Sequence, residues 1–254
     1  MGYIDSHAHI LDASYDDVDK IIENAKNEGV KKIEIICCEF DQIAKAIELA
    51  SASSMFEVAA GIHPSDVKKY DDSKLAELED YLKLNKLNCL GEIGLDYHWD
   101  KDNKEEQKDF FIKQIELANK YNLPVSIHSR DAILDTYNIL KDHPVKRKGI
   151  IHCYSSSLEM AKEFIKLGYL IGVGGVVTFK NSKVLKEVVK GIDTDNIIIE
   201  TDCPYLAPVP KRGKQNQPAY ISHTYQAVAD LKEIDLKTLK MTCEKNYHNL
   251  FDKD

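Results

Sequence analysis

Two histidines near the beginning of the chain, His7 and His9, are the first residues whose type and spacing could do chemistry. They belong to the segment Asp5-Ser6-His7-Ala8-His9, which follows the strand-forming pair Tyr3-Ile4. Side chains alternate between the two faces of a strand, so Asp5, His7 and His9 are expected on one face. Two imidazoles on one face are suitable ligands for zinc or another first-row divalent metal ion.

Further residues that can bind metal ions follow later strand-like segments. They are His63, Glu92, His128, His152 and Asp202. Each has an ordinary structural explanation when taken alone, such as a turn residue at His63 or a hydrogen-bonded core histidine at His152. Gly91 and Gly94 around Glu92 indicate close backbone packing at that position. So many placements of this kind are improbable by chance, and we therefore predict a metal site.

The number of candidate ligands exceeds what a single tetrahedral zinc ion needs. The set contains four histidines and two carboxylates: His7, His9, His128, His152, Glu92 and Asp202. It suits two divalent ions about 3.5–4 Å apart, with one carboxylate bridging them. The other carboxylate could then take a proton from a water molecule. Mixed nitrogen and oxygen ligands accept zinc, magnesium or manganese, so the identity of the metal stays open.

The elements that must position these residues alternate regularly between strand and helix. After the first strand, seven more are predicted at 32–37, 57–61, 89–93, 124–128, 149–152, 169–173 and 196–200. Apolar strands between amphipathic helices indicate a parallel sheet covered on both faces. Eight such units in 254 residues favour one α/β domain over residues 1–254, a closed (β/α)8 TIM barrel, with its active site at the carboxyl ends of the strands. No Gly-x-Gly-x-x-Gly follows the first strand, which disfavours a dinucleotide-binding fold.

Several helix boundaries are also predicted from sequence signals. Ser14-x-x-Asp17 predicts a capping box before the first helix, and Ser156-x-x-Glu159 predicts the cap of the helix after the sixth strand. The segment from Ser222 to Leu250 is predicted to form the last helices.

Composition narrows the class of protein. Hydrophobic residues make up 43% and charged residues 30%, as in ordinary soluble globular proteins. The six cysteines form no Cys-x-x-Cys pair, and neither a leader peptide nor a membrane span is predicted, so a cytoplasmic location is expected. The net charge of −8 argues against a protein that coats nucleic acid with its whole surface, although it allows a nuclease with local positive charge. The sequence leaves the oligomeric state open.

Over almost its full length the chain resembles the TatD-type metal-dependent deoxyribonucleases, a branch of the amidohydrolase-like barrel hydrolases. The resemblance is carried by residues 5–9, 61–64, 91–97, 127–132, 151–155 and 199–206, and by Arg212-Gly213-Lys214 with Asn216 and Pro218. Two loops depart from the family pattern. Ile10 and Leu11 separate His9 from Asp12, and Ser155-Ser156-Ser157 lacks the usual glycine.

The resemblance implies a role for each candidate ligand. His7, His9 and Asp202 would hold one metal ion, and His128 and His152 the other. Glu92 would bridge the two ions, and Asp202 would also act as the general base. His63 would lie near the substrate phosphate or the second ion. The implied reaction is hydrolysis of DNA phosphodiester bonds, with exonuclease character.

Several residues are candidates for binding the DNA substrate. The segment from Cys203 to Pro218 holds four of the seven prolines and carries Lys211, Arg212 and Lys214, so it could offer positive charge to phosphates. Arg130 is a further candidate for this role. Tyr97, Trp99 and Tyr154 follow strand ends and could stack on bases, although packing within the fold explains each equally well.

Two other functions are compatible with the same residues. A binuclear-metal hydrolase of a small amide, lactone or phosphoester would share the barrel, but such enzymes often bridge their metals with a lysine carbamate, and Glu92 occupies that position here. A noncatalytic metal-binding protein would not need a second carboxylate in the position of a base, so Asp202 disfavours it.

Overall fold

The computed structural model describes residues 2–99 and 101–252, and its eight strands form one parallel sheet. The strands are Tyr3–Ala8 (β1), Val30–Cys37 (β2), Phe56–Ala60 (β3), Cys89–Asp96 (β4), Val125–Arg130 (β5), Gly149–Ile151 (β6), Leu170–Val173 (β7) and Ile197–Ile199 (β8). Each strand pairs with the next one along the chain, from β1 to β8. Most strand residues are buried, as expected for a parallel sheet covered by helices.

Helices connect the strands and form the outer layer. They are Val18–Asn27 (α1), Phe40–Ala52 (α2), Asp72–Lys83 (α3), Lys104–Lys120 (α4), Ile133–Asp142 (α5), Leu158–Lys166 (α6), Lys183–Gly191 (α7), Ile221–Lys232 (α8) and Leu236–Phe251 (α9). Short 3-10 helices add to the connections, one of them at Pro64–Lys69 after β3. The predicted TIM barrel is confirmed. Within the described residues no helix combines the length and apolar character needed to cross a membrane.

Hydrogen bonds across the seam between β1 and β8 close the barrel. The backbone N–H of Asp202 donates to the carbonyl of His7 at 3.0 Å, and the N–H of His9 donates to the carbonyl of Cys203 at 2.9 Å. Below them, the hydroxyl of Ser6 donates to the carbonyl of Ile199 at 3.2 Å. Closure therefore brings residues 7 and 202, almost a chain length apart in sequence, into direct contact.

The last helix packs against the ends of the strands opposite to the pocket, where the strands begin. Tyr247 and Phe251 of α9 belong to one buried apolar cluster with Ile4 and Cys89, which lie near the beginnings of β1 and β4. The Tyr247 hydroxyl donates to the buried carboxyl group of Glu34 at 2.7 Å. Because α9 packs where strands begin, the carboxyl ends of the strands stay available for a site.

Two predicted helix starts need correction. In α1 the capping residue is Asp17, whose carboxylate accepts a hydrogen bond from the N–H of Lys20 at 2.9 Å; Ser14 lies outside the cap. In α6 the capping residue is Ser157, one residue after the predicted Ser156. In both cases the cap is the acceptor residue directly before the first helical residue, where it can reach the free N–H groups.

Candidate metal centre

A pocket of about 720 Å³ opens at the carboxyl ends of the strands. Five of the six predicted ligands line it: His9, Glu92, His128, His152 and Asp202. The sixth, His7, is completely buried directly beside them. The barrel therefore places residues from β1, β4 and β5, and from the segments after β6 and β8, around one cavity.

Glu92 lies between two groups of imidazoles. Its Oε2 is 3.4 Å from Nε2 of His7 and 3.6 Å from Nε2 of His9. Its Oε1 is 2.7 Å from Nδ1 of His128 and 2.9 Å from Nε2 of His152. The two oxygens of a single carboxylate thus face separate groups, as a bridging ligand requires.

Close packing of β4 on β5 brings the His128 ring to the carboxylate of Glu92. Gly94, two residues after Glu92, pairs with His128 and has a φ of +140°. A side-chain carbon at Gly94 would lie only 2.0 Å from the carbonyl oxygen of His128. The absent side chain lets the backbone of β5 approach closely enough for the His128 ring to reach Glu92.

The first group consists of His7, His9 and Asp202. The Nε2 atoms of the two histidines are 3.2 Å apart, and Oδ1 of Asp202 lies 3.5 Å from Nε2 of His9 and 4.0 Å from that of His7. Ligand atoms around one tetrahedral ion, at bonds of about 2.0–2.1 Å, lie roughly 3.3 Å apart. With Glu92 as a fourth residue, the donor types and spacings fit one divalent ion.

The second group surrounds Oε1 of Glu92. His128 and His152 contact this oxygen at hydrogen-bond distances, so an ion bound here must displace ring protons. Nε2 of His63 lies 3.6 Å from the same oxygen. However, Nδ1 of His63 accepts a hydrogen bond from the N–H of Ser65, which places the ring proton of the neutral form on Nε2. His63 is therefore better suited to donate a hydrogen bond in the pocket than to bind a metal ion.

Two of the histidines are hydrogen-bonded through their other ring nitrogen, as is typical of metal-binding histidines. The contacts are His7 Nδ1 to Ser126 Oγ at 3.0 Å and His128 Nε2 to Asp96 Oδ2 at 3.0 Å. Nδ1 of His152 lies 3.4 Å from Oε1 of Glu200, but among the described residues it makes no hydrogen bond. These partners were not predicted from the sequence. Strand alternation was the available signal, because Asp96 and Glu200 stand four and two residues from Glu92 and Asp202.

The buried charges stabilise one another. Burial alone would raise the pKa of Glu92, but His152, His63 and His128 outweigh it and hold that pKa well below its usual value. Burial would likewise raise the pKa of Asp202, but the hydrogen bond to His9 and the nearby imidazoles lower it overall. Both carboxylates are therefore ionised at neutral pH, as metal ligands must be.

The pKa values of the imidazoles shift in different directions, depending on the neighbouring groups. Burial would lower the pKa of His152, but Glu92 and Glu200 raise it well above the usual value, and the carboxylates around His9 and His128 raise theirs. The pKa of His7 is lowered, since burial dominates there and His152 adds repulsion. The carboxylates thus favour the protonated form of His9, His128 and His152, whereas the environment of His7 favours its neutral form.

The predicted substrate-binding residues differ in their placement. Arg130, at the end of β5, lines the pocket, and its guanidinium lies 5.2 Å from the centre of the Trp99 ring. Trp99 also lines the pocket and is 71% exposed. His63 lines it as well. These three residues are thus available to a bound molecule.

The structure corrects the prediction for Tyr154, which is only 3% exposed and belongs to the hydrophobic core. Its hydroxyl donates to the carbonyl of Ser157. Because the side chain is buried, its ring face is not free to stack on a base. Tyr97 is similarly buried and donates to Asp135. Arg212 is not among the residues that line the pocket; its guanidinium lies 4.5 Å from the centre of the Phe179 ring.

Comparisons with known proteins identify the family. A family model described as TatD related DNase matches residues 4–252. The uncharacterized metal-dependent hydrolase YabD of Bacillus subtilis (strain 168) is 41% identical over 249 residues, which cover 97% of this chain and 98% of that protein. YcfH of Escherichia coli (strain K12), another uncharacterized metal-dependent hydrolase, is 32% identical over 259 residues, covering 100% of this chain and 97% of its own.

A solved structure shows the same architecture. The crystal structure of YJJV, a TatD homolog from Escherichia coli K12, superposes with a TM-score of 0.94 at 29% identity and covers 99% of this chain and 98% of its own. The chain therefore belongs to the TatD-related DNase family, and it is a metal-dependent hydrolase with a TIM-barrel fold.

Proposed function

We propose that this protein is a divalent-metal-dependent deoxyribonuclease with exonuclease character, which hydrolyses phosphodiester bonds of DNA. The observation that carries the proposal is the position of Glu92, whose two oxygens face two separate groups of imidazoles, with Asp202 beside the first group. The family description, which names a DNase, supports the choice of substrate.

In this proposal two divalent ions (zinc, magnesium or manganese) occupy the centre. His7, His9 and Asp202 would hold the first ion, His128 and His152 the second, and Glu92 both. Bound ions would make water more acidic and stabilise negative charge on the phosphodiester. The donor types and the spacings of the first group support this assignment.

Asp202 is the proposed general base. Its carboxylate is ionised, lies at the pocket, and is surrounded by groups that favour the charged form. It would accept a proton from the attacking water as the new P–O bond forms. The P–O bond to the leaving nucleotide then breaks, and the leaving oxygen takes a proton from solvent. Glu92 would remain between the two groups of histidines, with one carboxylate oxygen facing each group.

Substrate binding is assigned to the pocket mouth. Arg130 would pair with a DNA phosphate, and the exposed ring of Trp99 beside it would stack on a base. His63 would donate a hydrogen bond from Nε2 to the phosphate that is cleaved. The six cysteines are free thiols, which supports the cytoplasm as the compartment for this activity.

Cleavage of end-labelled single- and double-stranded DNA tests the proposal directly. Wild-type protein with Mg²⁺, Mn²⁺ or Zn²⁺ should release labelled terminal nucleotides, and chelation should stop the reaction. Asp202→Asn should lower kcat by about 10²–10⁴-fold, because no base remains to take the proton. Asp109→Asn, on the exposed face of α4, is the control and should cleave like wild type.

A parallel panel of small amides, lactones and phosphoesters distinguishes the main alternative. Hydrolysis of one of these compounds, together with no cleavage of DNA under any metal condition, would refute the nuclease assignment. Undiminished DNA cleavage by Asp202→Asn would refute the role of that residue.

A further inference from the structure

A sulfur atom lies at the first group of candidate ligands. Cys38 directly follows β2, is half-buried and lines the pocket. Its Sγ is 3.9 Å from Oε2 of Glu92 and 4.0 Å from Nδ1 of His9. Cys38, His9 and Glu92 each offer a ligand atom within 4.8 Å of the other two. The thiol is therefore part of a three-residue cluster of metal-ligand types.

The position of the sulfur relates it to one ion in particular. It approaches Oε2 of Glu92, the oxygen that faces His7 and His9. On the His9 ring it lies beside Nδ1, while Nε2 faces His7 and Asp202. With a Zn–S bond of about 2.3 Å and a Zn–O bond of about 2.0 Å, a sulfur and an oxygen at the 120° equatorial angle of a five-coordinate ion lie roughly 3.7 Å apart. The observed 3.9 Å differs from this by a few tenths of an ångström.

The fold also explains why the sulfur is there. β1 and β2 are paired neighbours, with Ala8 opposite Ile35, so the residues that follow the two strands lie side by side. His9 follows β1 and Cys38 follows β2. Cys38 thus occupies the same kind of position, just past a strand end, as the predicted ligands.

A sulfur ligand changes which ions a site prefers. Thiolates bind zinc, cobalt and cadmium well, whereas magnesium and manganese favour oxygen ligands. Cys153 also lines the pocket, but among the described residues it joins no comparable cluster of ligand atoms. Cys38 is therefore the sulfur placed to affect metal choice.

We propose that Cys38 is an additional ligand of the first metal position, together with His7, His9, Glu92 and Asp202, and that this position selects thiophilic divalent ions of the zinc class. On binding, a metal–sulfur bond replaces the S–H bond of Cys38 and the proton passes to solvent. The inference rests on the metal centre proposed above and is independent of the DNA substrate.

Cobalt(II) loading of metal-free protein tests this proposal without any activity assay. Wild-type protein should develop a near-ultraviolet sulfur-to-cobalt charge-transfer band as Co²⁺ is added. Cys38→Ser should lose the band, and its affinity for Zn²⁺ at the first metal position should fall on the order of tenfold, with little change for Mn²⁺. Cys153→Ser, which removes the other pocket sulfur, is the matched control and should keep the band.

A measurement on the wild-type chain covers the case in which Cys38→Ser does not fold. Zn²⁺ should slow alkylation of Cys38 by a small thiol reagent, followed by mass spectrometry, while Mg²⁺ should leave the rate unchanged. Cobalt binding without a charge-transfer band, or a band that survives in Cys38→Ser, would overturn the role of Cys38 alone. Failure to bind any cobalt would overturn the metal centre itself.

Discussion

Nε2 of His128 donates a hydrogen bond to Oδ2 of Asp96 at 3.0 Å, while Nδ1 of the same ring lies 2.7 Å from Oε1 of Glu92. The two carboxylates hold the ring from opposite sides. Asp96 also accepts hydrogen bonds from the N–H groups of His98 and Trp99, so one side chain connects a candidate metal ligand with the pocket mouth. Asp96 is therefore a positioning residue for His128.

Asp96→Asn should weaken binding of the proposed second metal ion by about 10–100-fold, because the His128 ring loses the negative charge that orients it and increases its basicity. Calorimetric titration of metal-free protein measures this effect. Asp135→Asn is the matched control, since that carboxylate accepts from Tyr97 and pairs with Lys108 away from the pocket lining. Equal affinities in wild type and Asp96→Asn would contradict the role of Asp96.

If DNA is the substrate as proposed, Arg130→Gln should raise the Kd for DNA and reduce the slope of log Kd against log salt concentration by about one unit, because the proposed phosphate contact is lost. Arg212→Gln makes a useful comparison, since its guanidinium packs over Phe179 and does not line the pocket. Fluorescence anisotropy with labelled DNA over a range of salt concentrations measures both variants. A larger change in slope for Arg212→Gln than for Arg130→Gln would assign the phosphate contact to Arg212 and contradict the role of Arg130.

The barrel, and the position of the candidate ligands at the carboxyl ends of its strands, could be predicted because both depend on patterns within short segments of sequence. Apolar runs mark the strands, and residues such as His128 and Asp202 follow them directly. The burial of Tyr154 depends on packing between distant segments, which no local sequence pattern shows. Alternation marks Glu200 as a residue near the site, but its proximity to His152 likewise depends on how the strands pack. Cys38 carried a usable signal, since it follows β2 as His9 follows β1, but a free thiol explained it equally well.

Metal binding should release protons near neutral pH. The carboxylates raise the pKa of His9, His128 and His152 despite their burial, so at a given pH these rings are protonated to a greater extent than free imidazoles, and an incoming ion must displace those protons. Apparent affinity should therefore fall as the pH is lowered. Calorimetric titrations in two buffers of different ionisation enthalpy should give different heats, and identical heats would show that no proton is released.

Thr201→Val should lower the free energy of unfolding by about 1–3 kcal/mol, because it removes a buried hydrogen bond at the barrel seam. The Thr201 hydroxyl donates to Oδ2 of Asp5 at 2.6 Å, and both residues are almost completely buried. Thr238→Val is a matched control, since the Thr238 hydroxyl donates to Asp235 at 2.5 Å on the surface. Urea unfolding measures both, and an equal or larger loss in Thr238→Val would contradict the importance of the seam.

The buried carboxyl group of Glu34 should make stability depend on pH. Burial raises its pKa from 4.5 to about 8, although Tyr247 and Asn88 donate hydrogen bonds to it. The folded protein thus keeps a proton that the unfolded chain loses above pH 4.5, so this group's contribution is complete at lower pH and is lost as the pH rises to about 8.

Glu34→Gln keeps the carbonyl oxygen as an acceptor for Tyr247 and removes the ionisation. The fall in unfolding free energy between pH 5 and 8.5 should therefore be smaller in Glu34→Gln than in wild type, by on the order of 3 kcal/mol. Urea unfolding at the two pH values gives this difference, with Glu23→Gln on the exposed side of α1 as the control. If wild type and Glu34→Gln lose the same free energy over this range, Glu34 is ionised in the folded protein and a cation must compensate it.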